Sequence, residues 1–502
     1  MDYLQTELYK WFGLTEFRSR QEQIISAVLN KRDTFAMLAT GSGKSLCYQL
    51  PALIQDGLTV VVSPLLSLMQ NQVQELKAKK IKQAAAFNSF LSSSEKKDVL
   101  LNIKSLKILY ISPESLQQKE VLQRLSSINI FMLAVDEAHC ISQWGHEFRT
   151  DYLEIGKVRS MLGYPVCLAL TATATSEVKE DIKKHLHMRE PLEVSTSVDR
   201  PNISLEVLSI DTEHEKQKQL LSFVKSMAGP GLVYVSSRKK AEQLAAMLHR
   251  LPDISAAAYH GGMSSEDRIL IQQQFLNDHL HIICCTNAFG MGVNKNNIRF
   301  IVHYHYPKDL ESFVQEVGRA GRDGLNSAAL LLNASEDHVL PRLLIEKEFP
   351  DDLQMRQALL DWPEISSLKK IPLRNYFLEK LGWEEQSMHF FLYYIKKRIE
   401  THGKLEVEET LKYLLSIISN RKNKKKAKLE YMERWINSST CRRSSLLRYF
   451  NETPGLKVEN CCDICGIAVR ESVNKEHKYN SIDLSWKEEL KEIFHFVERA
   501  DF

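Results

Sequence analysis

From Thr34 to about Leu170, short apolar runs rich in β-branched residues alternate with longer stretches of helical character. The runs are Thr34–Ala39, Thr59–Ser63, Lys107–Ser112, Ile130–Val135 and Val166–Leu170. Strands alternating with helices imply a parallel sheet covered on both faces. A second series, Gly231–Ser236, Ser255–Tyr259, His281–Thr286, Arg299–Tyr304 and Ala328–Leu332, predicts a second α/β domain in tandem. Between them, Pro201 disfavours helix at Arg200, which places the hinge at Asp199-Arg200-Pro201-Asn202. After about Leu343 the strand pattern stops, and residues 344–440 read as mostly helical, rich in Leu, Lys and Glu. The expected division is residues 1–200, 201–343, a helical and cysteine-bearing region 344–470, and a tail 471–502. In that tail Trp486, Leu490, Ile493 and Val497 fall at the spacing of one amphipathic helix.

A chain of 502 residues with 44% hydrophobic content is long enough for several cores, and its formal charge of +3 is too mild to indicate a nucleic-acid partner by itself. No apolar stretch approaches the roughly 18 residues of a membrane helix, so a cytoplasmic protein is expected. Of nine cysteines, Cys441, Cys461, Cys462 and Cys465 cluster, which suggests metal rather than disulfides. Four thiolates suit tetrahedral Zn²⁺. Cys461 and Cys462 are adjacent, a tight arrangement for one ion.

Thr40-Gly41-Ser42-Gly43-Lys44-Ser45 follows the first strand and precedes a helical stretch. Glycines let the backbone wrap phosphates, with Lys44 reaching the β- and γ-phosphates and Ser45 on Mg²⁺. Leu38 stands where the full phosphate-loop pattern has glycine. Asp136-Glu137-Ala138-His139 follows the strand Ile130–Val135, about ninety residues downstream. Asp136 at a strand's carboxyl end can hold Mg²⁺ through water, and Glu137 can orient or deprotonate the attacking water. Together these segments read as a nucleotide hydrolase.

The residues after the acidic motif, Cys140-Ile141-Ser142-Gln143-Trp144-Gly145-His146-Glu147-Phe148-Arg149, resemble the aromatic-rich loop of the RecQ helicases, a branch of superfamily two. Trp144 and Phe148 can stack on unpaired bases. Phe17-Arg18 and Gln21 resemble the family's adenine-reading motif, and Leu170-Thr171-Ala172-Thr173-Ala174 resembles the motif coupling nucleotide to DNA. Tyr259-His260-Gly261-Gly262-Met263, the segment from Thr286 to Val293, and Gln315-Glu316-Val317-Gly318-Arg319-Ala320-Gly321-Arg322 match in order in the second domain. The cysteine cluster resembles the family's zinc-binding module, whose outermost cysteine of the second group falls at Glu459 here; Cys461 is the shifted substitute, with Glu459 or His477 as the alternative fourth ligand.

The resemblance implies two tandem RecA-like parallel-sheet domains followed by a mostly helical zinc-binding domain. It further implies an ATP-dependent DNA helicase moving 3′ to 5′ on single-stranded DNA and opening forked or overhang-bearing duplexes in repair, recombination or replication. ATP, Mg²⁺ and Zn²⁺ are the implied cofactors. Lys44, Asp136, Glu137, Arg319 and Arg322 would be catalytic, with Arg322 as arginine finger. Arg18, Gln21, Thr40, Gly41, Ser42, Gly43, Lys44 and Ser45 would hold the nucleotide, and Trp144, His146, Phe148, Arg149, His260 and Thr286 the DNA. The implied partners are single-stranded and forked DNA, with single-strand-binding or other repair proteins, and the implied state is a nucleoid-associated monomer. About forty residues follow Cys465, too few for the family's winged helix and C-terminal helical domain. A short form is therefore expected, and a DNA-stimulated translocase that remodels protein–DNA complexes is the alternative. A nucleic-acid scaffold and an RNA helicase are more distant readings. The basic run Arg421–Lys428 would ordinarily be a solvated face, but beside such a core it is expected to meet phosphates.

Overall fold

The computed structural model describes residues 3–88, 91–142, 149–289, 295–368, 370–455 and 458–466. The first sheet contains β1 (Thr34–Met37), β2 (Leu58–Val62), β3 (Ala84–Phe87), β4 (Ile108–Ile111), β5 (Ile130–Val135), β6 (Val166–Thr171) and β7 (Leu192–Ser195). Its order is β3-β4-β2-β5-β6-β1-β7, with every pairing parallel. The second sheet contains β8 (Ile203–Ile210), β9 (Gly231–Tyr234), β10 (Ala256–Tyr259), β11 (Ile282–Cys285), β12 (Phe300–His303) and β13 (Ser327–Ala334). Its order is β10-β11-β9-β12-β13-β8, again all parallel.

The central strands β1, β2, β4 and β6 are buried at every position, as a sheet covered on both faces requires. Three strands escape the sequence reading for separate reasons. β3 is three alanines and a phenylalanine and carries no β-branched residue. β7 is an edge strand with one buried position in four, and β8 opens two residues after the hinge proline.

Because β5, β6 and β1 are neighbours and run the same way, their carboxyl ends lie side by side. The segments that follow them, beginning at Asp136, Ala172 and Leu38, therefore meet at one edge of the sheet. That edge is where open α/β sheets receive ligands.

The helical region has two allegiances. Phe349, Phe377, Trp383, Phe391, Tyr394, Leu414 and Ile418 form a core of their own. The 30-residue helix Val407–Ile436 leaves that core halfway along. Its Leu429, Met432, Trp435 and Ile436, with Leu446, Leu447 and Phe450 of the following helix and turn, join the core that includes Ile203, Leu205 and Phe313.

The basic run lies within this long helix, and four of its six charges meet carboxylates. Lys422 and Lys426 reach Glu346 at 3.2 and 2.5 Å, Lys425 pairs with Glu348, and Lys428 with Glu311. Arg421 lies over the rings of Phe349 and Phe390. Lys424 and Lys426 are exposed, while Lys422, Lys425 and Lys428 are half-buried. The paired residues join the helix to its neighbours. No helix among the described residues is long and apolar enough to cross a membrane.

Candidate nucleotide cleft and cysteine cluster

The loop after β1 turns on two glycines with positive φ, Gly41 at +83° and Gly43 at +79°, a conformation that a Cβ would oppose. The Ser42 amide donates to Ala39 O at 3.1 Å. Gln21 is almost fully buried beneath the loop. Its Nε2 donates to Ser42 O and Gly43 O, both at 3.0 Å, while its Oε1 accepts from the Arg18 amide at 2.8 Å. In this conformation the amide expected to read adenine is engaged with the phosphate loop. A Cβ at residue 43 would fall 2.7 Å from it.

Asp136, at the end of β5, is buried; its Oδ1 accepts from the Glu137 amide at 3.0 Å and its carbonyl from the Tyr152 hydroxyl at 3.1 Å. Burial, then repulsion from Glu137, raise its carboxyl from the usual 3.8 to about 6, against the pull of Lys44. Glu137 sits in the left-handed region, φ +48° and ψ +47°, at a cost of about 1–2 kcal/mol for a residue with a side chain. That strain directs its carboxylate to within 3.4 Å of His139 Nδ1. The same nitrogen lies 3.0 Å from Thr171 Oγ1, which donates to Thr173 O at 3.0 Å. His139 thus stands between the acidic pair and the end of β6, with one ring nitrogen near both Glu137 and Thr171. Asp136 and Ser45 line the same cavity, and a carboxylate with a hydroxyl is an oxygen donor set that suits Mg²⁺.

The opposite wall comes from the second domain. Arg319 and Arg322 follow the helix Leu310–Val317, and together with Gln315 and Asn296 they line a cavity of about 300 Å³ with Arg18, Thr40, Gly41, Gly43, Lys44, Ser45, Asp136 and Glu137. Its position between the domains matters more than its size. A larger hollow of about 740 Å³ lies at the other end of the first sheet. There the buried Arg159 is already paired with Asp33 at 2.7 Å and with three carbonyls.

The cleft is closed. A Cβ on Gly41 would fall 2.8 Å from Arg322 Cγ and Cδ, and one on Gly318 would fall 3.4 Å from Thr40 Cβ. Burial, then the charges of Arg319 and Arg200, lower the Arg322 guanidinium to about 9. A guanidinium keeps its proton, so the shift expresses a buried positive charge crowded by two others. Lys44, Arg18, Arg319 and Arg322 around one cavity make it a receptor for a polyphosphate.

Among the residues expected to meet DNA, Trp144, His146 and Phe148 lie outside the described residues, as does the segment from Gly290 to Asn294. Arg149 donates to Pro64 O at 3.2 Å, tying the end of that loop to the segment after β2. His260 and Thr286 stand at the carboxyl ends of the adjacent strands β10 and β11. The His260 ring is buried and its Nε2 is 3.0 Å from Glu242 Oε1.

The sulfur atoms of Cys441, Cys461, Cys462 and Cys465 all lie within 4.8 Å of one another. Cys441 Sγ is 3.5 Å from that of Cys461 and 3.9 Å from that of Cys462. The edge of a zinc–thiolate tetrahedron is about 3.8 Å for Zn–S near 2.3 Å. The short turn Asp463–Cys465 brings Cys465 back toward the others. Glu459 is exposed and outside the group; His477 lies outside the described residues. Burial alone would raise the Cys441 thiol, but hydrogen bonds from Ser444 and the neighbouring cysteines bring it down to about 6, while Cys461 is pushed up to about 11 by burial and by Cys441. The four sulfurs fit Zn²⁺, closed to chemistry and structural in role.

Sequence reasoning missed several residues of the cleft. Gln72 and Glu75, on the helix Leu66–Ala78, line the cavity, and Gln49 Nε2 bridges Gln72 and the Tyr110 hydroxyl at 2.9 and 3.0 Å. No spacing signals them, because they come from three elements that meet only in the fold.

Comparison with known proteins gives three family matches along the chain: DEAD/DEAH box helicase over residues 18–181, helicase conserved C-terminal domain over 215–324, and RecQ zinc-binding over 406–466. A probable ATP-dependent DNA helicase RecS of Bacillus subtilis is 42% identical over 501 residues, covering 98% of each chain. The ATP-dependent DNA helicase RecQ of Haemophilus influenzae is 41% identical over 73% of this chain and 60% of its own length. Among solved structures, the Mycobacterium smegmatis helicase Lhr bound to single-stranded DNA and AMP-PNP aligns with a TM-score of 0.56 at 20% identity, covering 69% of this chain and 49% of its own. That likeness is one of fold.

Two predictions follow from this geometry. An acid whose folded value is raised stabilises the fold while protonated, and the advantage is lost as the pH climbs through about 6. Asp136→Asn is therefore expected to be more stable than the wild type at pH 8, by roughly 1–3 kcal/mol, with the gap narrowing as the pH falls from about 6 to about 4. An equal gap at both ends of that range would refute charge as the cause. For the cysteines, Cys461→Ser is expected to lower bound zinc, measured by metal analysis after dialysis, whereas Glu459→Ala retains it; the reverse result would exchange their roles.

Proposed function

Because the chain belongs to the RecQ family of ATP-dependent DNA helicases, we propose that it moves 3′ to 5′ along single-stranded DNA and opens forked or overhang-bearing duplexes in DNA repair, recombination or replication. The observation that supports a motor is the contact of Arg322 with the backbone of Gly41 across the cleft. Two domains that both present cations to one phosphate position are drawn together when it is filled. They are released when the terminal phosphate leaves.

In this reading Lys44, Arg319 and Arg322 hold the phosphates, and Arg322 meets charge that develops on the transferred group. Glu137 orients and deprotonates the attacking water, and Thr40, Gly41, Ser42 and Gly43 supply backbone amides. Mg²⁺ held by Ser45 and Asp136 would neutralise phosphate charge. Arg18 faces the base, and Gln21 reads adenine only by giving up its bonds to Ser42 O and Gly43 O, so nucleotide entry would loosen the loop it now holds closed. His139, between Glu137 and the threonines Thr171 and Thr173, is the physical route by which the hydrolytic site and the strand would feel each other. Trp144, His146, Phe148, Arg149, His260 and Thr286 are the proposed strand contacts. Cytoplasmic, nucleoid-associated action as a monomer, with single-strand-binding or repair proteins as partners, completes the proposal.

One observation favours the second reading, a DNA-stimulated translocase that clears protein–DNA complexes with little unwinding. Four of the six cations in the basic run of the long helix are paired with Glu346, Glu348 or Glu311, which reduces the charge it offers to a duplex.

The deciding experiment pairs ATP hydrolysis with strand separation on partial duplexes carrying a 3′ or a 5′ overhang. For a helicase, DNA-stimulated hydrolysis and opening of the 3′ substrate are expected in the wild type, with both reduced by at least ~10²-fold in Lys44→Ala. Hydrolysis without strand separation selects the translocase. Stimulation by RNA and not by DNA would end both readings.

A further inference from the structure

The residues that connect the two sheets are held from both sides. On one side, the Arg200 guanidinium donates to Gly318 O, Ala320 O and Gly321 O at 2.8, 2.9 and 2.7 Å. Asn202 Nδ2 adds Gly321 O and Leu325 O at 2.9 and 2.8 Å. Gly321 takes φ +55°, and a Cβ there would fall 2.4 Å from Asn202 Nδ2, so the fit is close. Every one of these carbonyls belongs to the loop that carries Arg319 and Arg322. The hinge therefore fixes the backbone from which both cleft arginines extend.

On the other side, the hinge backbone is gripped by the cysteine module. Arg443, nearly fully buried, forms an ion pair with Asp199 and donates to Arg200 O at 3.0 Å and to Ile203 O. Its helix, Arg442–Tyr449, starts at Cys441, one of the four sulfur donors. The neighbouring Arg442 turns inward instead, to Trp435 O, Ile436 O and Asp463, and holds the module together. The module touches the hinge at further points. Glu452 accepts from the Val198 amide at 2.9 Å and from the Ser197 hydroxyl. Cys461 O accepts from the Leu205 amide at 3.2 Å.

We propose that Arg443 is a positioning residue for ATP hydrolysis: anchored at the four-cysteine site, it sets the hinge at Asp199–Ile203, and through Arg200 it sets where Arg319 and Arg322 stand in the cleft. This rests on the reading that those two arginines meet the terminal phosphate. Arg200 is the transmitting residue, its carbonyl held by the module and its guanidinium holding the arginine loop. Preorganised charge stabilises a transition state only while its placement holds, and a displacement near 1 Å can cost about 10²-fold in rate. The cysteine site thus acts on hydrolysis from a distance, without supplying a group to the reaction.

The test uses the full chain and two probes, ADP alone and ADP with aluminium fluoride, which mimics the phosphoryl group in transfer. Arg443→Gln is expected to keep equimolar zinc and wild-type affinity for ADP. Its preference for the fluoroaluminate complex over ADP should fall at least ~10-fold, and kcat should fall by up to ~10²-fold with KM little changed. A residue that only supports the fold would lower both affinities together or neither, and either result overturns the proposal. If Arg443→Gln does not fold, Asp199→Asn decides, because it removes the ionic partner and leaves the two carbonyl bonds. A smaller loss of the same preference supports the clamp, and an unchanged preference overturns it. Arg322→Ala separates the two layers. If it keeps the fluoroaluminate preference, the reading of the cleft arginines fails and the clamp with it. If it loses the preference while Arg443→Gln keeps it, only the clamp fails.

Discussion

Arg322 can lie against the phosphate loop only because position 41 has no Cβ: a methyl group there would come within 2.8 Å of the Arg322 stem. That contact joins two domains whose sheets share no strand. It brings a buried guanidinium onto the loop that carries Lys44. Like charges on facing walls repel. An anion at that position turns the repulsion into a shared attraction, which is how a bound phosphate can act on domain positions.

The first sheet prepares its half of the site by strand order. With β6 between β5 and β1, the acidic pair, the two threonines and the phosphate loop need no long connection to meet. The left-handed backbone of Glu137 and the buried charge of Asp136 both oppose stability. Their concentration at one strand end is the pattern expected where chemistry rather than folding sets the residue.

The helical remainder is two structures in sequence. The aromatic core from Phe349 to Ile418 stands by itself, whereas the cysteine module shares apolar contacts with the second sheet and polar ones with the hinge. A small module with few apolar residues gains from both a metal and a borrowed core. Its attachment at Arg443 and Glu452 makes its position inseparable from that of the hinge.

The two tandem α/β domains, the phosphate loop, the acidic pair, the arginine loop and the cysteine cluster were legible in the chain itself. Each depends on contiguous residues whose local conformation the neighbours dictate: glycines at Gly41 and Gly43, an apolar run before Asp136, thiols close in sequence. What the fold alone decided are relations between distant segments. The basic run looked free for phosphates, yet its acidic partners at Glu311, Glu346 and Glu348 are far away in sequence. Gln21 carried a base-reading motif, and the structure spends its amide on the loop's carbonyls. Cys461 joined the sulfur group while Glu459, two residues before it, stayed outside. Arg200 and Arg443 bore no motif at all, because a side chain that bonds backbone carbonyls needs only their position, and periodicity does not record it.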